Sequence, residues 1–290
     1  MRRLNAAMDE GVGRSAARAA LLVGAACLVA AALGPAATAP AADRGDPLSS
    51  YAPVLRYSAD EDFYARPVGD TAGDTDLVYG HEVSQDGERY LQYWLFYAYN
   101  DQDRGILRTG RHEGDWEFVQ VRLGPDGAPA AMTFAQHSVA ERCGWDEIET
   151  TASKGDAPPV VYVADGSHAS YPRAGTADRP WPDPNDVADG EGLEVRPQIR
   201  AIDDDHPAWV QRSEPWGGSE AGWFPGENSS PVGPFFKADD RWRDPAAFEA
   251  AARACGEPPP GRAWQAPAMA AVALILLAGV GLLIRGRRQA

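Results

Sequence analysis

The sequence predicts an all-β fold: an antiparallel β-sandwich with long loops, one short C-terminal helix and a transmembrane helix at the C-terminal end. Three observations carry that prediction. Short runs rich in Val, Tyr, Phe and Leu recur between clusters of Gly, Pro and Asp, which is the punctuation of β structure. The stretch Tyr90–Tyr99 is apolar and aromatic on both alternating faces, as a strand covered on both sides reads. The connections are polar and Gly-rich rather than helical, which favours packed antiparallel sheets over a parallel α/β fold.

The chain begins with a targeting pattern. Arg2, Arg3, Arg14 and Arg18 precede an apolar run, Ala19–Leu33, and then the small-residue stretch PAATAPAA. The triplet Ala39-Pro40-Ala41 supplies an A-x-A cleavage pattern, so residues 1–42 read as a signal peptide, with an uncleaved anchor as the competing reading. Asp9 and Glu10 are unusual in such a segment and raise Met8 as an alternative start.

Residues 43–256 read as one extracytoplasmic sandwich domain. Its strands are expected in YAPVLRY (51–57), LVYGHEV (77–83), YLQYWLFYAY (90–99), DWEFVQVRL (115–123), AAMTFAQH (130–137), PVVYVA (159–164) and LEVRPQI (193–199). Pro197 would place the last of these at a sheet edge, since proline cannot donate to a ladder. Asp178–Gly192, which includes PWPDPND, reads as a long acidic loop without regular structure. PAAFEAAARAC (245–255) reads as a helix, with Asp244 as N-cap, Pro245 in the first turn and Gly256 beyond its end.

After it come a Pro-rich stalk (257–265), a charge-free apolar segment of spanning length (266–284) and an Arg-rich tail (285–290). Arginine directly after a span places that end in the cytoplasm, so the domain is expected outside a single-pass cell membrane protein. Cys27 falls in the signal, leaving Cys143 and Cys255 in the domain. An even pair in an oxidising compartment suggests one disulfide, against two free thiols. The formal charge of −15 argues against nucleic acid or an anionic membrane surface as partner, although solubility alone accounts for much of it.

The chemistry concentrates between Tyr90 and Leu123. In the second strand Asp115 and Glu117 share an alternating row with Val119, Val121 and Leu123, a row that otherwise looks core-facing. Two acids about 7 Å apart on one buried face repel each other and lose hydration unless a cation or a donor lies between them. His112 precedes Asp115 by three residues, and Asp101 and Asp103 close the preceding strand. This set reads as a divalent-cation site, or otherwise as a network of acids held by donors such as Arg104 or Arg111.

These residues also carry a resemblance. FYAYND, RHEGDWEFVQVRL, HSVAE and VVYVADGSHASYPRAG resemble the vacuolar protein sorting-associated protein 62 family over roughly residues 51–236. The hairpin is distantly similar to the necrosis- and ethylene-inducing peptide-like proteins, secreted cytolysins marked by GHRHDWE. Aligned on DWE, the resemblance implies cation ligands at Asp101, His112, Asp115 and Glu117. Arg111, Glu113 and Gly114 depart from that motif, so cation binding carries over and toxicity does not.

Two further stretches could feed the same cleft. ADGSHASYPRAG places His168 and Ser167 at the end of a buried strand, and Trp216, Trp223 and Phe224 lie in a Gly- and Pro-rich loop that could stack a sugar or a lipid head group. That loop could equally wrap and close the sandwich end. A Ser167–His168 triad is disfavoured because neighbouring side chains in a strand point apart. There is no H-E-x-x-H, P-loop, dinucleotide-binding glycine fingerprint or C-x-x-C, and Ala221 breaks a nucleophile elbow at Ser219.

The functional expectation is a membrane-anchored surface domain that binds a divalent cation and a glycan or lipid head group. The oxygen-rich ligand set suits calcium, magnesium or manganese better than zinc. The alternatives are an extracellular metal-dependent hydrolase, with His112, His168 or Glu117 as candidate catalytic groups, and a purely structural surface protein.

Overall fold

The computed structural model describes residues 46–69, 76–102, 110–152, 157–179, 184–218 and 229–258. The expected signal peptide, the stalk beyond residue 258 and the transmembrane segment 266–284 lie outside the described residues, as do Asp103, Arg104, Trp223 and Phe224. Among the described residues no helix is long and apolar enough to cross a membrane.

A single helical turn, α1 (Pro47–Ser50), opens the described chain, capped by the Asp46 carboxylate and started by a proline that needs no donor there. Then come β1 (Val54–Tyr57), β2 (Leu77–Gln85), β3 (Glu88–Asn100), β4 (His112–Leu123), β5 (Pro129–Gln136) and β6 (Val139–Gly144). They are followed by β7 (Val160–Val163), β8 (Ser170–Tyr171), β9 (Gly175–Ala177), β10 (Asp186–Ala188), β11 (Glu194–Val195) and β12 (Gln198–Ala201). The chain ends its regular structure with α2 (Pro245–Ala251) and β13 (Arg253–Ala254).

A seven-stranded sheet, β12-β2-β3-β4-β5-β6-β13, faces a four-stranded one, β11-β1-β7-β8. Between them lies a core of Leu55, Tyr57, Leu91, Tyr93, Val119, Val121, Phe134, Val161 and Val163. The other face of the large sheet is also covered. Trp94, Trp116 and Phe118 pack there against Trp209, Trp242 and Phe248. Double coverage explains why β3 and β4 read apolar on both faces.

Several expectations need correction. The ladders are not all antiparallel: β1–β7, β2–β12 and β6–β13 are parallel. LEVRPQI is two strands, not one. β11 edges the small sheet and β12 edges the large one, with Pro197 in the step between them. A proline that fixes φ and donates no hydrogen bond suits a chain leaving one sheet for the other. The acidic loop 178–192 contains regular structure, because β10 within it pairs antiparallel with β9. The C-terminal helix stops at Ala251, and the next residues form β13 beside β6. The Asp244 cap and Pro245 at the first turn are as the pattern requires, with Asp244 accepting from the Ala247 amide at 3.0 Å. Cys143 and Cys255 form a disulfide.

Candidate functional site

The ends of β1, β3 and β7 and the beginning of β4 meet at one rim of the sandwich. There the inward row of β4 turns acidic, as its alternation requires: Asp115 lies opposite Tyr97 and Glu117 opposite Leu95, and both carboxylates are buried. Gly114 makes the entry to this row. Its φ of +65° is open to glycine at no steric cost, and a Cβ there would stand 2.9 Å from Cβ of Trp216.

Asp115 is held by His168. Nδ1 of the imidazole lies 3.0 Å from Asp115 Oδ2, and Nε2 lies 3.5 Å from Glu61 Oε1. The ring is fully buried and stacks on Tyr97, centroids 3.8 Å apart and planes within 1°. Burial alone would depress the His168 pKa, but hydrogen bonds and charge from Asp115 and Glu61 overcome it and lift the value to about 9. The centre is therefore an imidazolium between two carboxylates. Both acids stay below their usual range against the push of burial, Asp115 through His168, and Glu61 through His168 and the amides of Phe63 and Gly166. Those amides donate to Glu61 at 2.7 and 2.8 Å.

Glu117 behaves oppositely. Burial, and then the neighbouring Asp115 charge, push its carboxyl up to about 8, so it is protonated at neutral pH. Lys237, one of two lysines in the chain, brings its ammonium to the same edge of β4 and donates to the Trp116 carbonyl at 2.9 Å. The β4–β5 ladder begins at Val119, so this carbonyl lies beyond it. Burial lowers the Lys237 pKa, with Glu117 and Asp115 opposing that shift.

Toward solvent, the same rim opens into a cleft of about 280 Å³ lined by Asp60, Glu61, Asp62, Asp101 and Asp165, with Arg111 and Gln102. Asp101 pairs with Arg111 at 2.6 Å. Burial raises the Asp165 pKa, helped by the charges of Glu61, Asp60 and Asp101. The Gln102 side-chain nitrogen is buried without a hydrogen-bond partner among the described residues. Beside the cleft runs a groove of about 630 Å³ walled by Phe63, Phe96, Tyr99 and Trp216. Phe63 borders both.

Of the residues expected to ligate a cation, Asp115 and Glu117 lie side by side inside the rim. His112 stands close enough for its charge to act on Asp115, while its Nδ1 lies 3.2 Å from the Gly114 carbonyl oxygen. Asp101 is at the cleft. Among the described residues these four do not bring three donor atoms within 4.8 Å of one another. The trio that does is Glu141, Cys143 and Cys255, two of which are spent on the disulfide. Ser167 and His168 serve different acids, since Ser167 Oγ donates to Asp186 at 2.8 Å. Glu61, Asp165 and Lys237 were not anticipated. The acid-rich run Asp60-Glu61-Asp62 directly after a buried strand, and one of only two lysines in an arginine-rich chain, were the available signals.

The cleft is rich in carboxylate oxygens, but among the described residues they do not bring three donor atoms within 4.8 Å of one another. Its carboxylates repel one another, as the raised Asp165 records, and no thiol lines it.

Comparison with known proteins agrees with both resemblances. The model of the vacuolar protein sorting-associated protein 62 family matches residues 81–179. No curated protein matches the chain. Necrosis and ethylene inducing protein 2 from the causal agent of cocoa's witches' broom disease is similar in structure at 15% identity, TM-score 0.37, over 54% of this chain and 74% of that one. A structure of NLPPya in complex with glucosamine is similar at 15% identity, TM-score 0.35, over 55% and 75%. The non-toxic HaNLP3 protein is similar at 15% identity, TM-score 0.35, over 53% and 73%.

Proposed function

We propose that this rim is a cation-dependent binding site for a glycan or a glycosylated lipid head group, displayed outside the cell on a domain anchored by residues 266–284. One observation carries the reading: an acidic cleft and an aromatic groove adjoin at a single residue, Phe63. A divalent cation in the cleft neutralises the carboxylates and leaves coordination positions for ligand hydroxyls. The aromatic faces next to it suit the apolar faces of a sugar ring. Asp101 belongs both to the cleft and to the ligand set expected from sequence. Asp115 and Glu117 form the layer behind it, and Glu117 must release its proton before it can ligate.

Binding is favoured over hydrolysis by the state of His168. A general base must reach the reacting atom, and this ring has no exposed surface and a carboxylate at each nitrogen. The test is calorimetric titration of the purified protein with calcium, magnesium and manganese, followed by a glycan panel with and without chelator. Asp101→Asn should weaken cation binding, and Phe63→Ala and Trp216→Ala should weaken glycan binding while leaving the cation affinity unchanged. Absence of any saturable cation binding would overturn the proposal, and cation-dependent turnover of glycan or ester would replace it with the hydrolase.

A further inference from the structure

The aromatic groove beside the acidic cleft has the composition of a receptor for an organic cation. We infer that it receives the trimethylammonium group of a choline lipid, held by the ring of Phe63 with its aromatic neighbours and by the negative charge gathered beside it. This goes beyond the cation-dependent glycan reading, because it concerns the groove alone and requires no metal.

The first argument is the walls. Phe63, Phe96, Tyr99 and Trp216 line a space of about 630 Å³. Phe63 meets Tyr99 at 5.3 Å between centroids with planes tilted by 46°, and Phe96 meets Trp216 at 5.6 Å and 58°. A cation within about 6 Å of a ring centroid is drawn to the negative face of the ring. The groove already shows this chemistry at one end, where the Arg212 guanidinium carbon stands 4.9 Å from the Trp216 centroid. Phe63 is half-buried, and no cation lies over it or over Phe96 among the described residues.

The second argument is charge. Glu113 lines the groove from the position opposite Tyr99 in the β3–β4 ladder, and Arg212 balances it. The excess comes from the cleft, which Phe63 also borders. There Asp101 is paired with Arg111 and Glu61 with the His168 imidazolium, while Asp60, Asp62 and Asp165 form no ion pair among the described residues. Asp62 precedes Phe63 directly and is exposed. Unpaired carboxylates therefore set the field beside the Phe63 ring, and a cationic ligand complements it.

The third argument separates kinds of cation. A metal ion or a primary ammonium needs several oxygens at close range, and Glu113 is the one carboxylate lining the groove, with its Oε2 already accepting from the Gly218 amide at 2.7 Å. A trimethylammonium group has no N–H to satisfy and spreads its charge over three methyl groups, so ring faces and a diffuse negative field suffice. At a phosphatidylcholine surface these groups face outward and the surface carries no net charge. The chain's charge of −15, which opposes an anionic membrane, leaves such a surface accessible.

The experiment is calorimetric titration of the full chain, in a polyoxyethylene detergent with chelator present, with glycerophosphocholine and choline. Glycerophosphoethanolamine and 3,3-dimethylbutan-1-ol, the uncharged isostere of choline, are the controls. Both choline compounds should bind saturably, and neither control should. Phe63→Leu keeps an apolar wall but removes the ring, so it should weaken binding about fivefold or more without altering the melting temperature. Glu113→Gln should weaken it severalfold, and Phe236→Leu, at an exposed aromatic outside the groove, should leave it unchanged. The inference falls if glycerophosphocholine does not bind saturably, if either control binds equally well, or if Phe63→Leu retains the affinity of the natural protein. Because chelator is present throughout, these outcomes are independent of whether the cleft takes a metal.

Discussion

Glu117→Gln gives the sharpest test of the buried rim. A carboxyl raised from 4.5 to about 8 binds its proton more tightly in the folded than in the unfolded chain. Folding stability must then fall as pH rises through that window, since the native state surrenders a proton that the unfolded state has already lost. At about 1.4 kcal/mol per pH unit the full cost is about 5 kcal/mol above pH 8 and about 3 kcal/mol at pH 7. Glutamine keeps the shape of the protonated acid and never ionises. In chelator the variant should therefore match the natural protein at pH 5 and exceed it by about 2–5 kcal/mol at pH 8.5, the lower figure applying if Lys237 and Asp115 absorb part of the change. Urea denaturation at pH 5, 7 and 8.5 measures this directly. A variant that is less stable at pH 8.5, or that shows the same slope with pH, would refute the claim that Glu117 is held protonated by burial and by Asp115. Repetition in excess calcium separates roles, because a cation ligated by Glu117 stabilises the natural protein and reverses the order.

His168 acts in a neighbouring window. Its pKa of about 9 means its contribution, about 3 kcal/mol, is complete below pH 6.5 and lost as pH rises through 9. Denaturation of His168→Gln should lack that loss. Reduction of the Cys143–Cys255 bridge should cost about 2–5 kcal/mol, and thiol titration of the unreduced domain should find no free cysteine in it. Gly114→Ala should lose about 1–3 kcal/mol in thermal or urea melts, through its left-handed backbone and the close Trp216. Protease added to intact cells should remove the domain and leave a small C-terminal fragment, and recovery of the whole chain in the cytosol would refute the proposed anchor.

What could be read in advance followed from periodicity. The hairpin β3–β4 and its inward Asp115–Glu117 row obey the two-residue repeat of a strand, so the acids were legible to the residue. Their partners were not, because His168 meets Asp115 across 53 positions and only the packing of two sheets brings them together. His168 also adopts φ of +56°, a turn conformation that strand alternation cannot foresee. The short pairings β9–β10 and β6–β13 span three residues or fewer on one side, too few for any period to register.

That last placement has a mechanical consequence. β13 joins the sheet through two residue pairs in parallel register, which a pull on the chain beyond residue 258 would strip away easily. The bridge to Cys143 lies one residue beyond β13 and fastens the exit point to a buried residue of β6. Tension from a surface or a membrane would then pass by a covalent bond into a strand hydrogen-bonded along its length to β5.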